Sequence, residues 1–98
     1  MRENTTGENN TAIGSGALTA NLTGEQNTAV CADALSNNMS GPNTATGFQA
    51  LSANTTGFGD TAVGFQALMN NTTGANTALG FNALDSNTTG MNNVGPWS

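Results

Sequence analysis

The tetrapeptide Asn-Thr-Thr-Gly recurs six times, its Asn at positions 4, 21, 38, 54, 71 and 87, twice as the variants Asn21-Leu22-Thr23-Gly24 and Asn38-Met39-Ser40-Gly41. Between these copies stands a second phrase in five versions: N-T-A-I-G-S-G-A-L from Asn10, N-T-A-V-C-A-D-A-L from Asn27, N-T-A-T-G-F-Q-A-L from Asn43, D-T-A-V-G-F-Q-A-L from Asp60 and N-T-A-L-G-F-N-A-L from Asn76. Self-similarity of this period means coils that bury their apolar residues by stacking on one another, so the chain folds as a solenoid or roll and not as an enclosed globule. The leucines of the phrase, Leu18, Leu35, Leu51, Leu68 and Leu84, lie 17, 16, 17 and 16 residues apart. The one-residue alternation falls in the linker: two residues separate Gly7, Gly24 and Gly57 from the next phrase, and one separates Gly41 and Gly74 from theirs. The phrase keeps its length and is the structured part; the linker is the turn.

Composition limits what such coils can contain. The 98 residues are 36% apolar, short of the usual ~45–50%, so a thick hydrophobic core is excluded. Disordered chains combine low apolar content with high charge, whereas only 7% of this chain is charged, and the strict register of its Ala and Leu positions argues for order. The chain reads as one repeat domain over 1–98, with an N-terminal cap and first turn at 1–9, repeat coils at 10–90 and a C-terminal cap at 91–98. In that last segment the repeat dissolves; Trp97 is expected to cover the open end of the roll and Pro96 to stop further strand pairing.

Within the phrase, Thr-Ala-Val-Gly-Phe reads as a short strand with period-two alternation. Thr61, Val63 and Phe65 share one face and Ala62 and Gly64 the other; Thr77, Leu79 and Phe81 stand against Ala78 and Gly80 in the same way. Neither face is charged, which suggests burial on both sides: Ala and Gly inside a narrow flattened coil, Val and Phe against another subunit. Parity alone leaves the opposite assignment open. The candidate contact residues are Val63, Phe65, Leu79, Phe81 and Phe48. In Asn-Thr-Thr-Gly, Gly is expected to supply positive φ while Asn and Thr bond neighbouring backbone groups. Stacking at ~4.8 Å would let the Asn side chains form a ladder along the axis.

The phrase N-T-A-I-G-S-G-A-L resembles the head-domain repeats of trimeric autotransporter adhesins, and the longer unit containing Asn-Thr-Thr-Gly is similar to repeats of phage tail fibres and related bacterial surface fibres. The resemblance runs from Asn4 to Val94. It implies an all-β fold, a left-handed parallel β-roll (β-solenoid) of five to six coils with 16–17 residues per repeat. It further implies a homotrimer of chains packed side by side, serving as an adhesive or spacer shaft on a cell surface or virion, with a cell surface or glycan as ligand. The family repeat is shorter, about 14 residues per coil, so the loop here is enlarged. The chain shows no signal-peptide core, coiled-coil stalk or membrane anchor, and is expected either to be made without export or to be a piece of something longer.

The chemistry of sites is thin. With no His or Tyr and a single basic residue, Arg2, most general bases and oxyanion partners are missing, so no enzyme is expected and no cofactor or metal. A net charge of −5 argues against nucleic acid, and no apolar run reaches the ~18–20 residues of a membrane insertion. The carboxylates Glu3, Glu8, Glu25, Asp33, Asp60 and Asp85 occupy different repeat positions, and Asp60 reads as a solvated surface group in place of a calcium ligand. Cys31 stands where Gly14, Gly47, Gly64 and Gly80 stand and reads as a small residue in a tight place. Triplets such as Asn71-Thr72-Thr73 match the glycosylation acceptor as a by-product of turn chemistry. The rival function is binding of ice or another crystal surface by a column of hydroxyls and methyls, Thr11, Thr28, Thr44, Thr61 and Thr77.

Overall fold

A computed structural model describes residues 6–88 and the backbone of 94–95. Six short strands, β1 (Thr11–Ile13), β2 (Thr28–Val30), β3 (Thr44–Thr46), β4 (Thr61–Val63), β5 (Thr77–Leu79) and β6 (Val94–Gly95), form one parallel sheet in chain order. The fold is an all-β solenoid with four complete turns between β1 and β5, and the described residues contain no helix. Pairing has no slip: Thr11 faces Thr28, Ala12 faces Ala29, Ile13 faces Val30, and so on up the stack. Residues 91–98 do not all fall away from the repeat, because Val94 pairs with Thr77 and Gly95 with Ala78. Trp97 and Pro96 lie outside the described residues.

The strand is three residues long, where alternation predicted five. At the fourth position Gly14, Gly47, Gly64 and Gly80 have φ between 120° and 134°, and Cys31 has φ 98°, which turns the chain out of the extended region. A Cβ at Gly64 would also meet the backbone of Gly80 in the next coil. Two consecutive turns follow, closed in β4's coil by Ala67 N–H to Gly64 C=O (3.2 Å) and Met69 N–H to Gln66 C=O (3.1 Å). Their third residues, Gln66 and Leu68, sit at φ 55° and 51°, the φ signature of type II turns. Phe65 therefore belongs to a turn and not to the strand. These turns are also bonded to the neighbouring coils, as in Leu51 N–H to Ala67 C=O (3.0 Å) and Gln66 N–H to Phe48 C=O (2.8 Å), so the stack is hydrogen-bonded well beyond its sheet.

Strand parity is settled in favour of Ala inside. Ala29, Ala45, Ala62 and Ala78 are buried, and opposite them the turns insert the Ala-Leu pairs, with Leu18, Leu35, Leu51 and Leu68 fully enclosed. Small residues on one wall and leucines on the other fill a narrow coil with few atoms. The rest of the interior is polar: Asn21, Asn27, Asn38, Asn43, Asn54, Asn71, Asn76 and Asp60 are all buried. A low apolar fraction is thus compatible with a closed interior, because a large minority of that interior is polar and hydrogen-bonded.

The glycines of Asn-Thr-Thr-Gly are not there for positive φ. Gly24, Gly41, Gly57 and Gly74 have ordinary φ, and what they provide is room: a Cβ on Gly57 would strike Asn54 Oδ1 and the carbonyl of Thr73, and one on Gly74 would strike the carbonyl of Phe58. The left-handed residues are instead Asn9, Gln26, Gly59 and Ala75, each immediately before the next phrase.

Candidate functional site

Zero-slip pairing turns each outward strand position into a column. The first is Thr11, Thr28, Thr44, Thr61 and Thr77, in register and facing out. The second is Ile13, Val30, Thr46, Val63 and Leu79, whose end members Ile13 and Leu79 are 61% and 64% exposed. A third arises in the turn: Phe48 stacks on Phe65 with ring centroids 5.5 Å apart, and Phe65 on Phe81 at 5.0 Å with the rings within 8° of parallel. Ring stacking contributes about 0.5–1.5 kcal/mol per pair beyond area burial. Phe65 stays 39% exposed and Phe81 68%, so the ladder holds itself together while leaving its outer edges open.

All five predicted contact residues therefore fall in outward columns, but in two different ones. Phe48, Phe65 and Phe81 form the ring ladder in the turns; Val63 and Leu79 pair across β4 and β5. Beside the rings, Gln66 Nε2 donates to Gln49 Oε1 at 2.9 Å, while Asn82, one methylene shorter, has a buried Oδ1 with no partner. The ladder begins only at the third coil, where Phe-Gln replaces the Ser15-Gly16 and Ala32-Asp33 of the first two. Further apolar side chains, Leu22, Met39 and Phe58, are exposed in the loops. Among the described residues there is no pocket, and no three Asp, Glu or Cys side chains converge.

Two buried ladders of side-chain amides back the outer columns. In the first, Asn10 Oδ1 accepts the N–H of Asn27, Asn27 Oδ1 that of Asn43, and Asn43 Oδ1 that of Asp60, each at 2.9 Å; Asp60 Oδ1 accepts from Asn76 at 3.0 Å. In the second, built from Asn-Thr-Thr-Gly, Asn38 donates to Asn21 Oδ1 (3.4 Å), Asn54 to Asn38 Oδ1 (2.9 Å) and Asn87 to Asn71 Oδ1 (2.9 Å). Asn71 and its counterparts at 21, 38 and 54 are enclosed, so these four glycosylation triplets offer no acceptor in the folded coil.

Asp60 overturns its reading as a solvated carboxylate, since it is 1% exposed within the first ladder. Burial pushes its carboxyl up from 3.8 to about 6, against the lowering effect of the Asn76 backbone and side-chain hydrogen bonds. The signal was present in the repeat: D-T-A-V stands where every other copy has N-T-A. Cys31 is exposed in the glycine column.

Neither a known family nor a characterised protein nor a solved structure matches this chain at a significant level.

Proposed function

We propose that the chain is a non-enzymatic structural module, a fibre or adhesin-head segment that works as a homotrimer of side-by-side coils. The observation that carries this reading is the set of uncovered apolar columns. The interior is already closed by the chain's own Ala, Leu and Asn residues, so Ile13, Leu79 and the exposed edges of the Phe48, Phe65, Phe81 ladder are not needed to close it. Contiguous apolar surface on a stable body marks a place of association. A second copy of the same rigid, regularly spaced body is the occupant that matches its length. The resemblance to trimeric adhesin heads and tail fibres favours three copies around an axis, which needs a head-to-tail interface that closes into a ring. In that setting the shaft would hold a cell-surface or glycan contact away from its base.

The Thr column is regular enough to raise binding of an ordered water surface as the rival. Against it, the neighbouring column is bulky and apolar in four of its five members, and only Thr46 extends the hydroxyl array sideways. Sedimentation equilibrium decides between them. The expected result is a species near three times 9.8 kDa, reduced to monomer when Phe65 and Phe81 are both replaced by Ser. A soluble monomer across micromolar to millimolar concentration would overturn the trimer and leave the Thr surface as the better reading.

A further inference from the structure

Asp60 breaks the amide ladders in one place, and the break is specific. In every coil the first ladder asks two things of its side chain. An oxygen must accept the N–H of the next coil, which Asp60 does through Oδ1. An N–H must also be donated towards the Asn-Thr-Thr-Gly turn: Asn10 gives one to Gly24 C=O (2.7 Å), Asn27 to Ser40 C=O (2.7 Å), and Asn43 to Gly57 C=O (2.8 Å) and Asn38 Oδ1 (3.1 Å). Asn76 likewise donates to Asn71 Oδ1 at 3.1 Å. An ionised Asp60 has no proton for this second task.

The cost appears at Asn54. Its counterpart Asn38 Oδ1 receives two amide donors, from Asn43 and Asn54, and Asn71 Oδ1 also receives two, from Asn76 and Asn87. For Asn54 Oδ1 the equivalent donors are Asp60 and Asn71. Asp60 is a carboxyl, and Asn71 Nδ2 has turned to Asp60 Oδ2 at 3.3 Å and to Thr73 C=O. Asn54 Oδ1 is left buried with no hydrogen-bond partner. By the repeat, Asp60 Oδ2 occupies the rung from which Asn43 Nδ2 and Asn76 Nδ2 reach the corresponding oxygen.

We propose that Asp60 is held in the folded coil as the neutral carboxylic acid, donating its proton to Asn54 Oδ1, so that the stack contains one joint that tightens in acid and loosens as the acid ionises. Placing a proton between two buried oxygens satisfies both; removing it leaves a buried carboxylate facing a buried carbonyl oxygen. The groups hydrogen-bonded to Asp60 are Asn43, Asn71 and Asn76, and neither they nor Asn54 titrate. Glu8 and Glu25 are exposed in the loops of the first coils, Asp33 and Asp85 lie in the turn columns, and Cys31 is exposed; the described residues include no Lys, Arg or His, so among them no opposite charge stands by to hold the carboxylate form. The upward push of the carboxyl to about 6 by burial agrees with this geometry.

The sign follows from a folded pKa above the unfolded one: the stabilisation is complete below about 3.8 and is lost as pH rises through about 6. Equilibrium unfolding of wild type and Asp60→Asn, at one protomer concentration over that range and up to pH 8, tests it. Asn occupies this position in the other four phrases, so the variant keeps the fold. The wild-type unfolding constant is expected to rise roughly a hundredfold relative to that of Asp60→Asn between the acid and the neutral limit. Parallel pH profiles for the two proteins would overturn the proposal. Infrared difference spectra near pH 5 give the second readout. A protonated-carboxyl C=O band present in wild type and missing in Asp60→Asn is the expected result; an ionised Asp60 at that pH overturns it.

Discussion

Leu51 is the sharpest place to test how the coil is closed, because two opposed effects meet on one residue. Its side chain is fully buried in the column of Leu35 and Leu68, while its backbone has φ 54°, a left-handed conformation that costs a residue with a Cβ about 1–2 kcal/mol. Leu51→Ala removes three buried carbons from a wall with no slack and is expected to destabilise by about 2–5 kcal/mol. For a domain of this size that lowers Tm by roughly 8–40 °C. Leu51→Gly removes one carbon more, worth about 0.8 kcal/mol, and adds about 0.5–1 kcal/mol of unfolded-chain freedom. It also releases the left-handed penalty, so the two variants should fall within about 1 kcal/mol of each other. At a buried site of ordinary φ, glycine would be clearly the worse. Urea melts at fixed protomer concentration read the difference directly. If glycine lies about 1.3 kcal/mol or more below alanine, the left-handed turn is wrong; if alanine costs under about 1 kcal/mol, the leucine column is not the core.

Ala62→Leu should destabilise by about 1–3 kcal/mol or more, because Ala62 is enclosed between Ala45 and Ala78 and faces a filled coil; an unchanged melting curve would put the strand's alanine face in solvent. Gly57→Ala should be worse than Gly59→Ala. The new methyl at 57 meets Asn54 Oδ1 and the Thr73 carbonyl, whereas at 59, with φ 79°, the nearest atoms are 3.8 Å and 3.9 Å away and only the backbone penalty of about 1 kcal/mol remains. The reverse order in thermal melts would rule out crowding as the reason for the tetrapeptide glycine.

How much of this was legible depends on whether the cause lies in one coil or between two. Ala62 and Ala78 could be placed opposite Thr61 and Leu79 from alternation, and the parallel stack from the period, because both are local patterns read once and repeated. Phe65 was put on the right outer surface but on the wrong element. Nothing in Gly-Phe-Gln announces that Gln66 and Leu68 will take left-handed φ, a conformation usually reserved for Gly and Asn. Gly57 was misread because one of the two groups that crowd it, the Thr73 carbonyl, is a whole coil away, and the other, Asn54 Oδ1, is turned onto it only in the folded stack. Asp60 was misjudged as a charged residue in isolation, when its surroundings are amides supplied by the coils on either side.

Pairing of like with like, Thr on Thr and Ala on Ala at every level from β1 to β5, also bears on how such a shaft changes length. A duplicated or deleted coil presents its neighbours with the same partners they had before, so the cross-section is preserved while the reach varies. The natural increment is the pair of coils, one long and one short, since that unit restores the alternation of the linkers as well as the register of the strands. Length in this protein is therefore a quantity adjustable by copying, largely independent of the surface it carries.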